Sequence, residues 1–182
     1  MQKRNNFFLI ISIVALSFLT IGCSNRNRTI ELSFQLNKAE AFVPSDQMVV
    51  WLEQPDSSFV KTLYISEYLA YGGFTLNSVC PDWSGRLNWK EISKEEFDAV
   101  TGATPSQGDV KFELEVEKDG IPDGEYELFI EVHLAEKYNE LYSATINLSN
   151  KKCIRDLKLS YVPEKYPKTT RNHLSDVKLI CK

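Results

Sequence analysis

The sequence predicts an all-β fold, a single antiparallel immunoglobulin-like β-sandwich, on three observations. Apolar and polar residues alternate with period two through Ile30–Leu36, Val110–Val116 and Tyr126–Leu134, the pattern of half-buried strands. Turn-forming residues break the chain between such runs, at Gln54–Ser58, Asp119–Gly124 and Ser149–Lys152. Long helical patterns are few, and about eight short strands at this spacing suit a sandwich.

Ile30–Leu36 opens the series as a strand with one buried face. Met48–Leu52 is a continuous apolar run and predicts a strand covered on both faces. Phe59–Ile65 returns as the second arm of a hairpin. Residues 66–108 then form a long irregular insertion, in which Tyr68, Tyr71, Phe74, Trp83, Trp89 and Phe97 stand among Gly72, Gly73, Pro81 and Gly85. So long a connection in a compact domain is functional or poorly ordered, and its aromatic density argues against disorder. Ser93-Lys-Glu-Glu96 fits a capping box, which predicts one short helix reaching Val100. After Val110–Val116 and Tyr126–Leu134, Glu136–Asn139 turns the chain into Leu141–Leu148. Ile154–Tyr161 and Asp176–Cys181 supply a last pair.

The first 22 residues differ from the rest of the 182. Lys3 and Arg4 precede an apolar run over Phe7–Ile21, too short for a usual membrane span and charged like a secretory signal. Leu19-Thr-Ile-Gly-Cys23 resembles a bacterial lipobox, with Thr20 where Leu is usual; the resemblance implies cleavage after Gly22 and lipid on Cys23. Residues 1–22 are then a lipoprotein signal peptide, 23–29 a lipidated tether and 30–182 the sandwich domain. The alternative is an uncleaved anchor helix. The expected address is the periplasmic side of a bacterial membrane.

Without Lys3 and Arg4 the chain holds 19 basic and 25 acidic residues, a net charge of −6. A net-acidic domain is a poor partner for nucleic acid. Residues 91–140 carry 15 acidic and 4 basic side chains, and residues 151–182 carry 9 basic and 3 acidic. Export leaves Cys80, Cys153 and Cys181 in an oxidising compartment; Cys153 and Cys181 border late strands and could pair, or all three are buried thiols. No spacing suggests a metal site. The only histidines, His133 and His173, have no visible catalytic partner, so the sequence gives no active site and the expectation is a protein that is not an enzyme.

Val49-Val-Trp-Leu-Glu53 with Phe59–Leu63, Asp98–Thr104, and Asp119–Tyr126 with Phe129–Glu131 together resemble a bacterial periplasmic domain family. That family is often encoded beside flavin transferases and PepSY-type membrane proteins. Asp119–Tyr126 is also similar to the closing hairpin of the Ig-like domain in flagellar hook-capping proteins. Asp98, Thr101, Gly102, Ala103, Thr104 and Ser106 match every specified position of the motif Asp-x-x-Ser/Thr-Gly-Ala-Ser/Thr-x-Ser/Thr, to which flavin transferases attach FMN. The resemblance implies a covalent FMN cofactor on Thr104, a flavin transferase and a membrane redox protein as partners, and electron transfer as the role. The residue types suit that chemistry: Gly102 allows close approach and unusual φ, and Ala103 leaves no bulk beside a phosphate. Tyr68, Tyr71, Trp83 and Trp89 could stack on the flavin ring. In flavinylated domains the motif normally leads into a helix, for which Pro105, Gly108 and the strand at Val110 leave no room. The competing reading is a structural or partner-binding Ig-like module in which Thr-Gly-Ala-Thr is only a loop.

Overall fold

A computed structural model describes residues 28–39, 42–87, 93–116, 121–136, 138–149, 153–161 and 172–182. The expected signal peptide, Cys23 and Trp89 lie outside these residues. The described strands are β1 (Arg28–Leu36), β2 (Gln47–Glu53), β3 (Phe59–Ser66), β4 (Thr101–Gly102), β5 (Gly108–Val116), β6 (Glu125–Ala135), β7 (Tyr138–Asn147), β8 (Cys153–Asp156), β9 (Lys158–Tyr161) and β10 (Leu174–Cys181). They form two sheets, ordered β5-β1-β10-β8 and β4-β3-β2-β6-β7-β9. The fold is the all-β sandwich that the alternation predicts. Among the described residues, the one parallel contact is β3 with β4, where Ile65 and Ser66 face Thr101 and Gly102; every other pairing is antiparallel.

Between the sheets lies the main core. β1 contributes Ile30, Leu32, Phe34 and Leu36, which face Met48, Val50 and Leu52 of β2 and Leu128, Ile130 and Val132 of β6. Burial of such side chains supplies about 1.5–3 kcal/mol each before entropy is counted. Arg28 and Thr29 belong to this sheet rather than to a tether. Thr29 exchanges backbone hydrogen bonds with Lys182 at 3.3 and 2.8 Å, and Arg28 reaches Asp123 at 2.9 Å.

The insertion is more regular than its sequence suggests. It holds α1 (Glu67–Ala70), a 3-10 turn (Gly73–Thr75), α2 (Pro81–Ser84) and α3 (Lys94–Val100), where one helix was expected. Their apolar residues close over the outer face of the six-stranded sheet. Leu69, Val79, Cys80, Trp83 and Leu87 bury Val49, Trp51 and Ile65 in a second core. Every residue of β2 is therefore buried, as a strand covered on both faces must be.

The other departure is Ile154–Tyr161, expected as one strand. β8 pairs with β10 in one sheet, and β9 pairs with β7 in the other. The chain changes sheets at Leu157, with neither glycine nor proline there to announce the step.

Candidate functional site

The bend that carries the hydroxyl motif is built by α3, β4 and the end of β3. Ser93 and Glu96 form the expected capping box: Ser93 Oγ accepts from Glu96 N at 3.2 Å, and Glu96 accepts from Ser93 N at 2.8 Å. α3 ends where the Thr101 hydroxyl donates to the Phe97 carbonyl at 2.7 Å, closing its last turn. Pairing with β3 then fixes the direction of Thr101–Gly102.

Gly102 is required here by contact, not by φ, which corrects one expectation. A Cβ at this position would lie 2.6 Å from Cε2 of Tyr64, and Gly102 is not among the positive-φ residues. The Tyr64 ring lies under Gly102, packs on Phe112 with centroids 4.4 Å apart, and its hydroxyl donates to the Ala103 carbonyl at 2.6 Å. Burial pushes this phenol above its ordinary value. The backbone at Ala103 is thus pinned from below while its methyl group is exposed.

Thr104 is half-buried, and its Oγ1 accepts a hydrogen bond from Gln47 Nε2 at 3.0 Å. Ser106 is exposed. Asp98 is exposed on α3, where its carboxylate takes Lys94 Nζ at 2.9 Å and the Tyr71 hydroxyl at 3.3 Å. The Lys94 hydrogen bond, with a smaller share from Tyr71, holds this carboxyl below its ordinary value. The structure brings Asp98 to Lys94 and Tyr71 and Thr104 to Gln47; it does not join Asp98 to Thr104. The motif leaves α3 behind it and enters β5 at Gly108, whose φ is +117°, so no helix follows.

Among the aromatic candidates, Tyr68 and Tyr71 are exposed on and just beyond α1, which packs beside β4. Trp83 is fully buried in the outer core, with Nε1 donating to Thr62 at 2.9 Å. It cannot stack on an external ring, because the residues covering the outer sheet face enclose it.

Sequence reasoning missed a set of buried polar anchors. Glu131, fully buried on β6, accepts from the backbone N–H of Asp82 at 3.3 Å and of Trp83 at 3.0 Å, tying α2 to the sheet. Burial, with Asp82 nearby, pushes its carboxyl up to about 8. Glu53 is equally buried, accepting from Trp51 Nε1 at 2.8 Å and Arg86 at 3.0 Å. Glu131 occupies a position that period-two reading assigns to solvent, and the insertion supplies a partner to each carboxylate, the N–H groups of α2 to Glu131 and Arg86 to Glu53. Both histidines are held by hydrogen bonds within the fold. His133 Nε2 donates to the Glu136 carbonyl at 2.9 Å, and Nδ1 lies 2.6 Å from Ser45 Oγ. His173 Nε2 donates to Asp46 at 2.7 Å.

Cys80 is a free, buried thiol, held well above its ordinary value by desolvation and by Glu131. Cys181 is disulfide-bonded, and the residue opposite it in the β10–β8 ladder is Cys153. Among the described residues no cluster of three or more His, Cys, Asp or Glu could hold a metal ion, and no helix is long and apolar enough to cross a membrane.

Fold and site together define a two-sheet β-sandwich with a helical cover on one outer face and a hydroxyl-bearing bend at the edge of that cover. The chain belongs to the family described as "Predicted periplasmic protein (DUF2271)", whose model matches residues 27–160. Neither a curated protein nor a solved structure shows a significant match to it. The family match runs from β1 into β9 and includes the whole bend.

Proposed function

We propose that the chain is an exported lipoprotein, anchored through lipid on Cys23, that carries FMN on Thr104 as a non-catalytic member of a periplasm-facing redox assembly. A flavin transferase supplies the modification, and a membrane redox protein exchanges electrons with the flavin. The observation that carries the reading is the position of Thr104: half-buried at a pinned bend, beside an exposed Ala103, rather than sealed in the sandwich. Exposed Tyr68 and Tyr71 stand on the same side as the motif, with Tyr71 bonded to Asp98, and offer ring faces to an isoalloxazine. The flavin performs the redox chemistry, and the protein supplies position. We also read Cys153 and Cys181 as the disulfide that closes the C-terminal strands, in keeping with an oxidising compartment.

Co-expression with a flavin transferase and mass spectrometry of the purified chain test this. A flavin adduct on Thr104, absent from Thr104→Ala, supports the carrier. An unmodified chain leaves the second reading, a binding module, which the exposed Tyr68, Tyr71 and Leu76 favour. Cys23→Ser should abolish lipid labelling, and globomycin should accumulate a larger precursor. If neither changes the product, the lipid anchor is wrong.

A further inference from the structure

The side chain that meets Thr104 is an unusual one to bury. Gln47 opens β2, is 9% exposed, and is separated from Thr104 by 57 residues of sequence. Its Nε2 donates to Thr104 Oγ1 at 3.0 Å and to the Ser45 carbonyl at 3.4 Å. Its Oε1 is buried and has no hydrogen-bond partner among the described residues. An apolar residue would avoid that cost, because an unsatisfied buried acceptor is expensive.

The orientation of the amide follows from its neighbours. The Ser45 carbonyl can only accept, so reversing the amide would set oxygen against oxygen. Nε2 must therefore face both Ser45 and Thr104, and Thr104 Oγ1 must be the acceptor. The hydroxyl's own hydrogen then points away from Gln47, where an outside base can take it. A threonine oxygen esterified to phosphate has no hydrogen left to donate, yet it can still accept one. The Gln47 contact is thus compatible with both the free and the esterified residue.

We propose that Gln47 is the positioning residue that presents Thr104 Oγ1 for flavin transfer, an inference that rests on the flavin reading above. In the transfer, Thr104 Oγ1 attacks the flavin-side phosphorus of flavin adenine dinucleotide held by the transferase. The Oγ1–P bond forms and the phosphoanhydride P–O bond breaks. Adenosine monophosphate leaves, and the hydroxyl proton passes to a base of the transferase. Gln47 holds the attacking oxygen in one rotamer throughout and neither gains nor loses a proton.

The test uses the full-length chain in detergent, a purified flavin transferase and flavin adenine dinucleotide, with initial rates read by protein-bound flavin fluorescence. Gln47→Met removes the donor and also the orphaned acceptor. It should slow transfer at saturating carrier by about tenfold, the worth of one hydrogen bond to a reacting oxygen. KM for the carrier should change less than about twofold, and Tm should equal or exceed that of the unsubstituted chain, since the orphaned acceptor is gone. Gln47→Glu keeps the shape but sets a carboxylate beside the incoming phosphate, and should be slower still. Transfer to both variants at the unsubstituted rate overturns the proposal. So does a loss confined to KM, or a slower rate accompanied by a lower Tm, which would make Gln47 structural. If the unsubstituted chain itself accepts no flavin, the flavin reading fails instead, and the two failures are told apart by that one control.

Discussion

Glu131→Gln should make the protein more stable at pH 8 and remove most of its pH dependence between pH 5 and 8. Glu131 is fully buried, and its carboxyl titrates at about 8 in the fold against an ordinary 4.5. Between those values the native state holds a proton that the unfolded chain has released. Unfolding free energy therefore falls as pH rises from 4.5 to about 8, and levels off above. At about 1.4 kcal/mol per pH unit, that interval sets a ceiling of about 5 kcal/mol. Glu140, also raised by burial, adds in the same direction. The carboxyls of Glu31, Asp56, Glu96 and Asp98 are lowered by their hydrogen bonds, so they contribute stability above the ordinary carboxyl range that is lost as pH falls below it. The unsubstituted protein should thus be most stable near pH 5. The substituted amide would remain neutral throughout and keep an oxygen for the N–H groups of α2. Urea denaturation followed by tryptophan fluorescence at pH 5, 6.5 and 8 gives the comparison. A midpoint that rises with pH in the unsubstituted protein, or an equal slope in both proteins, would refute the reasoning.

Three further outcomes follow from packing. Gly102→Ala places a methyl group 2.6 Å from the Tyr64 ring and should cost about 1–3 kcal/mol, read as a lower Tm. Trp83→Ala empties the middle of the outer core and should cost about 3–5 kcal/mol in urea denaturation, with loss of near-ultraviolet circular dichroism. Cys181→Ser should cost about 2–4 kcal/mol and, if Cys153 is the bonded partner, expose one new thiol to reagent on unfolding.

How much of this was legible in the sequence varies with the distance over which each feature is decided. Alternation in Ile30–Leu36 and Tyr126–Leu134 marks strands because one buried face is a local pattern. The capping box is local too, since Ser93 and Glu96 are three residues apart. Met48–Leu52 was readable as doubly covered because its run has no polar face to offer water. What was not legible depends on contacts between distant segments. Glu131 looks like a solvent-facing position until the insertion folds over it. Nothing within Ile154–Tyr161 marks the step between sheets, so its residues could not say that two partners divide it. Thr104 was picked out by its motif, but nothing in the sequence joins it to Gln47. For the same cause the close approach at Gly102 could not be traced to the Tyr64 ring, which lies 38 residues before it, and the expected unusual φ is not there.

The direction of α3 bears on how a flavin would sit at this bend. Helix N-termini favour phosphate, whereas the carbonyl end does not. Here α3 points its C-terminus toward Thr101, whose hydroxyl already occupies the Phe97 carbonyl, and the chain beyond the motif enters a strand. Lys94, the cation of α3, is engaged by Asp98. A phosphodiester on Thr104 would find no helix N-terminus following the motif to neutralise it and would point outward into solvent. The flavin would then depend for its placement on ring contacts with Tyr68 and Tyr71 and on the fixed rotamer of Thr104. On the flavin reading, removing both tyrosines should leave the covalent bond intact while freeing the ring. Bound-flavin fluorescence anisotropy of the double variant Tyr68→Ser, Tyr71→Ser should therefore fall toward that of a mobile flavin. An unchanged anisotropy would mean that these rings do not hold it, and that the exposed tyrosines serve a partner instead.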